Sequence, residues 1–280
     1  MRRLTLTLGA TVAVLTATVM ASPARTAEAL PRVASTTVCA DQMVLALAAP
    51  EQIAALSPDA ASPWLSLLAD RAAGLPLLRP SAEGYLAAGA KVVITNAWSE
   101  AQTAALLERF GLTVIRLPLA EDMDSVVASI REVAAVLGQS ERGEALVAAV
   151  RQKIAAVEAA PNGGGRLGLY LRPDGGTAAA GSFVATLMDT AGLRNQATEQ
   201  GLSGWSSYDL ERFIAAPPEV IVTSFFESPH RSRNGGFGNH PAFLRRAAAL
   251  PEAHVPGAYW VCAGWILAEA AERLNRELAP

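Results

Sequence analysis

Glu83-Gly84-Tyr85-Leu86, followed by the apolar run Val92-Val93-Ile94, recurs about 128 residues later as Glu211-Arg212-Phe213-Ile214, followed by Val220-Ile221-Val222. In both copies an acidic residue opens an amphipathic helical stretch, and a run rich in β-branched residues follows at the same offset. Such a run, bounded by polar or turn residues, reads as a strand buried on both faces of a parallel sheet. Two copies predict two similar α/β lobes with a cleft between them. Chance is the alternative, since Glu-x-x-Leu ahead of an apolar run is common.

Around these copies, strand and helix signals alternate. Arg32 to Val38 reads as a first strand ending at Cys39. Ala40-Asp41-Gln42 then opens a helix to about Ala48, with Asp41 placed to cap it or meet its dipole. Residues 52–57 read as a second strand and Trp64 to Ala73 as a helix. Helix 100–110, ending at Gly111, precedes the strand Thr113 to Leu117. From Met123 to Ala160 the chain is helix-forming, interrupted at Gly138 and Gly143, until Pro161-Asn162-Gly163-Gly164-Gly165 breaks it. Arg166 to Leu171 restarts a strand, Gly181 to Leu193 a helix, His240 to Leu250 another, and Trp260 to Leu278 a closing helix. The expected fold is α/β: two Rossmann-like lobes with mostly parallel sheets, 30–138 and 162–280, joined by one long connector helix, 139–161.

Residues 1–29 read as a secretory signal peptide: Arg2-Arg3, an uncharged apolar stretch from Leu4 to Met20, and the small-residue site Ala27-Glu28-Ala29. An uncleaved anchor is the alternative. The expected mature protein is soluble and periplasmic. The 280-residue chain is 51% hydrophobic with a net charge of −3. It has no basic block, which argues against a nucleic-acid partner. Two cysteines, Cys39 and Cys262, in an exported chain favour a disulfide; two separate buried thiols are the alternative.

Ligands of open parallel sheets bind beyond the carboxyl ends of the strands. Trp98, Arg172 and the stretch Phe225 to Arg233 fall there, and Trp64, Trp205 and Trp260 lie where they reach the same region. Aromatic walls with a few arginines suit a large, flat, partly anionic ligand. Trp64, Trp98, Trp205, Phe226 and Trp260 are therefore candidate walls. Arg172, Arg231 and Arg233 are candidate partners for ligand anions, and His230 is a candidate axial or hydrogen-bonding contact. For each aromatic, plugging a lobe edge is the alternative. No Gly-x-Ser-x-Gly, His-Glu-x-x-His or Cys-x-x-Cys occurs, so no catalytic set, no intrinsic cofactor and no resident metal are expected.

The order and spacing of these parts resemble the periplasmic substrate-binding proteins of ABC importers for cobalamin, haem and ferric siderophores. The resemblance rests on the opening segment at Cys39-Ala40-Asp41-Gln42, the Glu83 and Glu211 units, the helix after Leu137-Gly138, the segment from Gly181-Ser182-Phe183 to Arg194-Asn195, and His240-Pro241-Ala242-Phe243. It covers nearly all of the mature chain. It implies a monomer that holds a ferric or cobalt chelate between its lobes with modest hinge motion. It also implies that Glu83 and Glu211 dock onto arginines of a dimeric permease. Cys39 departs from the Ser or Asn, with a Pro, that many members carry there; a disulfide spanning the lobes restricts their opening. An exported sensor or scaffold on the same fold is the alternative function, and an enzyme acting on the chelate a lesser one.

Overall fold

The structure is a computed structural model that describes residues 29–99, 101–120, 122–228 and 236–280. The proposed signal segment therefore lies outside the described residues, apart from Ala29. The first half contains β1 (Val33–Ser35), α1 (Val38–Leu47), β2 (Ile53–Ala55), α2 (Ala82–Ala87), β3 (Val92–Asn96), α3 (Ala101–Arg109), β4 (Thr113–Leu117) and α4 (Met123–Val136). After α5 (Ser140–Ala159) come β5 (Leu167–Leu171), β6 (Gly176–Ala178), α6 (Phe183–Thr190), β7 (Arg194–Asn195), α7 (Gln196–Glu199) and β8 (Trp205–Ser207). The chain closes with α8 (Leu210–Ala215), β9 (Val220–Thr223), α9 (Gly236–Asn239), α10 (Pro241–Ala247), β10 (Glu252–His254) and α11 (Leu267–Glu277).

Two four-stranded parallel sheets result, ordered β2-β1-β3-β4 and β10-β9-β5-β7, with β6 and β8 pairing antiparallel beside the second. The two repeated runs are β3 and β9, each buried along its whole length. That is why neither shows the alternation of a half-exposed strand.

α5 joins the lobes physically as well as in sequence. Val147 and Val150 pack in the first lobe's core, Val157 packs in the second's, and Ile154 touches both. Lys153 on α5 bridges Glu269 (3.2 Å) and Glu272 (2.5 Å), binding α5 to α11. Gly138 ends α4 at positive φ (67°). Gly143, expected to interrupt the helix, lies within α5. A Cβ there would sit 2.5 Å from the Ala134 side chain, so the glycine lets α4 and α5 approach closely.

Several expected elements differ. α1 starts earlier than read, because the Thr37 hydroxyl accepts from Ala40 N (3.4 Å) and N-caps it; Cys39 is in the helix's first turn and does not end the strand. The expected helix from Trp64 to Ala73 forms only turns and the 3₁₀ segment Ala69–Ala72, since Arg71 N bonds Leu68 O and Ala73 N bonds Asp70 O, three residues back. The closing helix begins only at Leu267. Residues 260–266 instead cross between the lobes: Trp260 lies in the second lobe's core, while Cys262, Trp265 and Ile266 lie in the first's. The Trp265 indole donates to Gln42 O (3.2 Å). Cys39 and Cys262 are joined by a disulfide, with Cα atoms 5.4 Å apart.

Asp41 does not cap α1. It is fully buried and accepts from the Ser35 hydroxyl, from Ser57 N (2.8 Å) and from Ser57 Oγ (2.5 Å), tying the end of β1 and the residues after β2 to α1. Burial pushes its pKa up from 3.8 to about 6, against the lowering effect of these donors. The folded protein therefore holds a proton that the unfolded chain releases between those values. Stability from this group is full below 3.8 and is lost as pH rises to about 6, on the order of 3 kcal/mol.

Two outcomes follow. Asp41→Asn removes the charge-burial cost and flattens the fall in thermal midpoint between pH 4 and 6; an unchanged slope assigns that fall elsewhere. Cys39→Ser with Cys262→Ser opens a loop of 223 residues and lowers stability in urea unfolding by up to about 5 kcal/mol in the chain-entropy picture.

Candidate functional site

In an open parallel sheet the ligand crevice forms where the strand order reverses. In the first sheet that point lies between β1 and β3, and in the second between β5 and β9. The carboxyl ends there are Ser35 and Asn96 in one lobe, Leu171 and Thr223 in the other. Residues 260–266 run between them.

The crevice has two adjoining parts. One is lined by Asn96, Trp98, Leu117, Pro118 and Ala120 on the first lobe, with Cys39, Cys262 and Trp265 beneath. The other lies between Ala120, Asp122 and Met123 on the first lobe and Phe183, Thr186 and Leu187 on α6, with Leu267 beneath. The disulfide is thus part of the floor. Each part has free volume of only about 30 Å³, space for one or two waters. Small-molecule sites are typically about 300–1,000 Å³. A chelate-sized ligand requires the walls to part above the covalently tied floor.

Trp98 follows β3 on a turn in which Ala97 N bonds Leu117 O (2.9 Å) and Ser99 N bonds Asn96 O (3.2 Å); its ring is 61% exposed. On the other lobe Trp205 is 49% exposed and packs edge-on to Phe183, with centroids 5.5 Å apart. Each lobe therefore offers one exposed indole near an apolar crevice.

The remaining expected contacts separate. Trp260 is 2% exposed and packs edge-on to Tyr170 at 5.8 Å, so it is a core side chain and no open stacking wall. Phe226 stacks on Phe243 (6.2 Å, 15° between planes) on the opposite face of the second sheet, where it fills the outer core. Trp64 is half-buried in the turns before the 3₁₀ segment and does not line the crevice. Arg172 is half-buried over the Phe225 ring, 5.0 Å from its centroid. His230, Arg231 and Arg233 lie outside the described residues. His240 N-caps α10, its Nδ1 accepting from Ala242 N (3.1 Å), the helix-start role expected for it.

Sequence reading missed Phe183, which lines the crevice, and Tyr170, which packs behind Trp205. Tyr170 carries a signal in retrospect. On β5, Leu169 and Leu171 enter one core and Tyr170 the other, so Tyr170 shares a face with Arg172 at the carboxyl end of the strand. Among the described residues, no three His, Cys, Asp or Glu side chains gather as a metal site.

The geometry sets a contrast in stability. Trp260→Ala costs about 3–5 kcal/mol in urea unfolding, as a large buried truncation does. Trp98→Ala and Trp205→Ala each cost about 1 kcal/mol or less. Equal losses at all three positions would contradict the division into core and crevice.

The family model described as periplasmic binding protein matches residues 50–233. Among curated proteins no sequence matches the chain. Among solved structures, the periplasmic heme-binding protein RhuT of Roseiflexus sp. RS-1 superposes with a TM-score of 0.68 at 22% identity, over 89% of this chain and 98% of that one. The periplasmic heme-binding protein HutB of Vibrio cholerae gives 0.71 at 20% identity, over 89% and 99%. The vitamin B12-binding protein BtuF of Vibrio cholerae gives 0.65 at 16%, over 89% and 96%. At these identities the structures speak for the fold, and the match over residues 50–233 carries the classification: the chain belongs to the periplasmic binding protein family.

Proposed function

We propose that the protein is a periplasmic solute-binding protein that captures a metal chelate between its lobes and delivers it to an ABC importer. The observation that carries this reading is the apolar crevice at the carboxyl edges of both sheets, with exposed Trp98 and Trp205 on opposite lobes. Indole faces stack on flat, conjugated ligands, and an apolar cleft favours a large one. The similar folds that bind haem or vitamin B12 support a ferric or cobalt chelate, whether haem, cobalamin or a ferric siderophore, as the cargo. Arg172, with His230, Arg231 and Arg233, is assigned to the ligand's anionic groups. No helix among the described residues is long and apolar enough to cross a membrane.

Delivery is assigned to the duplicated acids. Glu83 opens α2 and Glu211 opens α8, both exposed and both in the first turn. Leu86 and Ile214, three residues on from each acid, are exposed as well. Two equivalent acidic points, one per lobe, fit two equivalent basic points on a dimeric permease, and such complementarity fixes orientation and speeds encounter.

Titration with haemin, cyanocobalamin, a ferric hydroxamate, a ferric catecholate and ferric citrate tests capture through tryptophan fluorescence. Saturable quenching by one of them, weakened by Trp98→Ala and Trp205→Ala, is the expected result; no quenching by any removes the chelate assignment. Glu83→Ala with Glu211→Ala leaves that binding intact and abolishes uptake by cells carrying the importer. Undiminished uptake would refute the docking role.

A further inference from the structure

The second lobe's switch point carries a group of buried hydrogen-bond donors with too few acceptors. Tyr170 and Arg172 on and after β5 share a face with Val222 and Ser224 on and after β9. Trp260 Nε1 and Arg172 Nε are shielded from solvent and make no hydrogen bond, while Tyr170 Oη and Ser224 Oγ, equally shielded, meet only each other, which still leaves one O–H undonated. Tyr170 and Ser224 are fully buried and Trp260 nearly so. They are neighbours: Trp260 packs on Tyr170, and the Ser224 hydroxyl stands beside the phenol. Burial raises the Tyr170 pKa, more than Ser224 lowers it, so the phenol keeps its proton and remains a donor.

Cores do not keep such groups for stability, because an unpaired buried donor has lost its water and gained nothing. The nearby carboxylates do not serve them. Asp174 accepts from Gly176 N (2.9 Å), and Glu227 from Gly257 N (2.6 Å) with His254 Nε2 at 3.6 Å. Arg172 forms no ion pair among the described residues. The residue after Ser224, Phe225, holds φ at +65°, a conformation that non-glycine residues keep where the surroundings enforce it, often at binding sites. Its ring lies under the Arg172 guanidinium.

A carboxylate has two oxygens and about four lone-pair sites, enough for the indole N–H, the guanidinium N–H and the remaining hydroxyl together; a single water accepts only two donors and leaves the Arg172 charge unmatched. We propose that Tyr170, Ser224, Trp260 and Arg172 form a carboxylate-binding subsite on the second-lobe wall of the crevice, which selects cargo bearing a carboxylate. Trp205, exposed and packed edge-on to Tyr170 at 6.1 Å, moves aside to admit it. This inference rests on the crevice being the ligand site.

The test compares haemin with haemin dimethyl ester, which keeps the ring and removes both carboxylates, by tryptophan quenching of the purified protein. The expected result is a preference for haemin of about tenfold or more, lost in Tyr170→Phe and in Arg172→Gln while ester binding is unchanged. The thermal midpoint of Tyr170→Phe changes little, because the variant deletes a buried hydroxyl that meets only the Ser224 hydroxyl. An equal preference in wild type and Tyr170→Phe overturns the subsite. So does a Tyr170→Phe variant that loses stability and weakens both probes alike, the behaviour of a merely structural tyrosine. If neither porphyrin binds, the haem reading fails separately and millimolar benzoate decides the subsite: a saturable fluorescence change in wild type that Tyr170→Phe abolishes supports it, and no response refutes it.

Discussion

All strands within each main sheet run in one direction, and the rest of the molecule answers to that constraint. A parallel sheet buries both faces under helices, so its side chains carry little information about a ligand. What remains exposed is the edge where the strands end. There each lobe sets down its polar and aromatic residues: Asn96 and Trp98 after β3, Arg172 after β5, Ser224 and Phe225 after β9. A site built on these ends inherits the rigidity of the sheet behind it, and its two walls belong to separate bodies, each with its own sheet.

Those bodies are held by two different devices. α5 is shared by both cores and gripped by the Lys153 ion pairs. Residues 260–266 cross the crevice floor and are bonded to α1 through Cys39 and Cys262. Partially exposed ion pairs contribute little individually. The covalent tie and the shared apolar contacts therefore dominate, and they leave the upper walls, with Trp98 and Trp205, as the parts free to separate. The narrow free volume and the tied floor fit together: a ligand larger than a water or two would enter by parting the walls, with the floor as the fixed edge.

The repeated Glu-helix-strand unit was legible because its strands are buried along their length. An unbroken β-branched run is what such burial writes into a sequence. The α5 connector was legible through the apolar spacing of Val150, Ile154 and Val157 and the glycines after it. Asp41 was half legible: it lies in the first turn of α1 as read, but it is not the cap, and only the fold brings Ser35 and Ser57 onto it. Trp260 was half legible: its ring is a core side chain, and only its indole N–H is left to meet a ligand. A tryptophan at an element junction suggests a wall until the packing of Tyr170 against it is seen. The donors around Tyr170 were invisible in sequence, because hydroxyls, an indole and a guanidinium scattered from 170 to 260 resemble ordinary core and surface residues. Their significance lies in what they fail to touch.

The crossing of residues 260–266 also orders events in time. The first lobe's core contains α1 and also Cys262, Trp265, Ile266 and Ala268, with Cys262 made 223 residues after Cys39. While the intervening chain is being produced, that core has an uncovered apolar flank, a condition that invites association with other chains. The α1 thiol at Cys39 has no intended partner in the same interval. A chain cut short before residue 262 would thus lose more than α11. Its first lobe, although complete in strands, would remain unsealed.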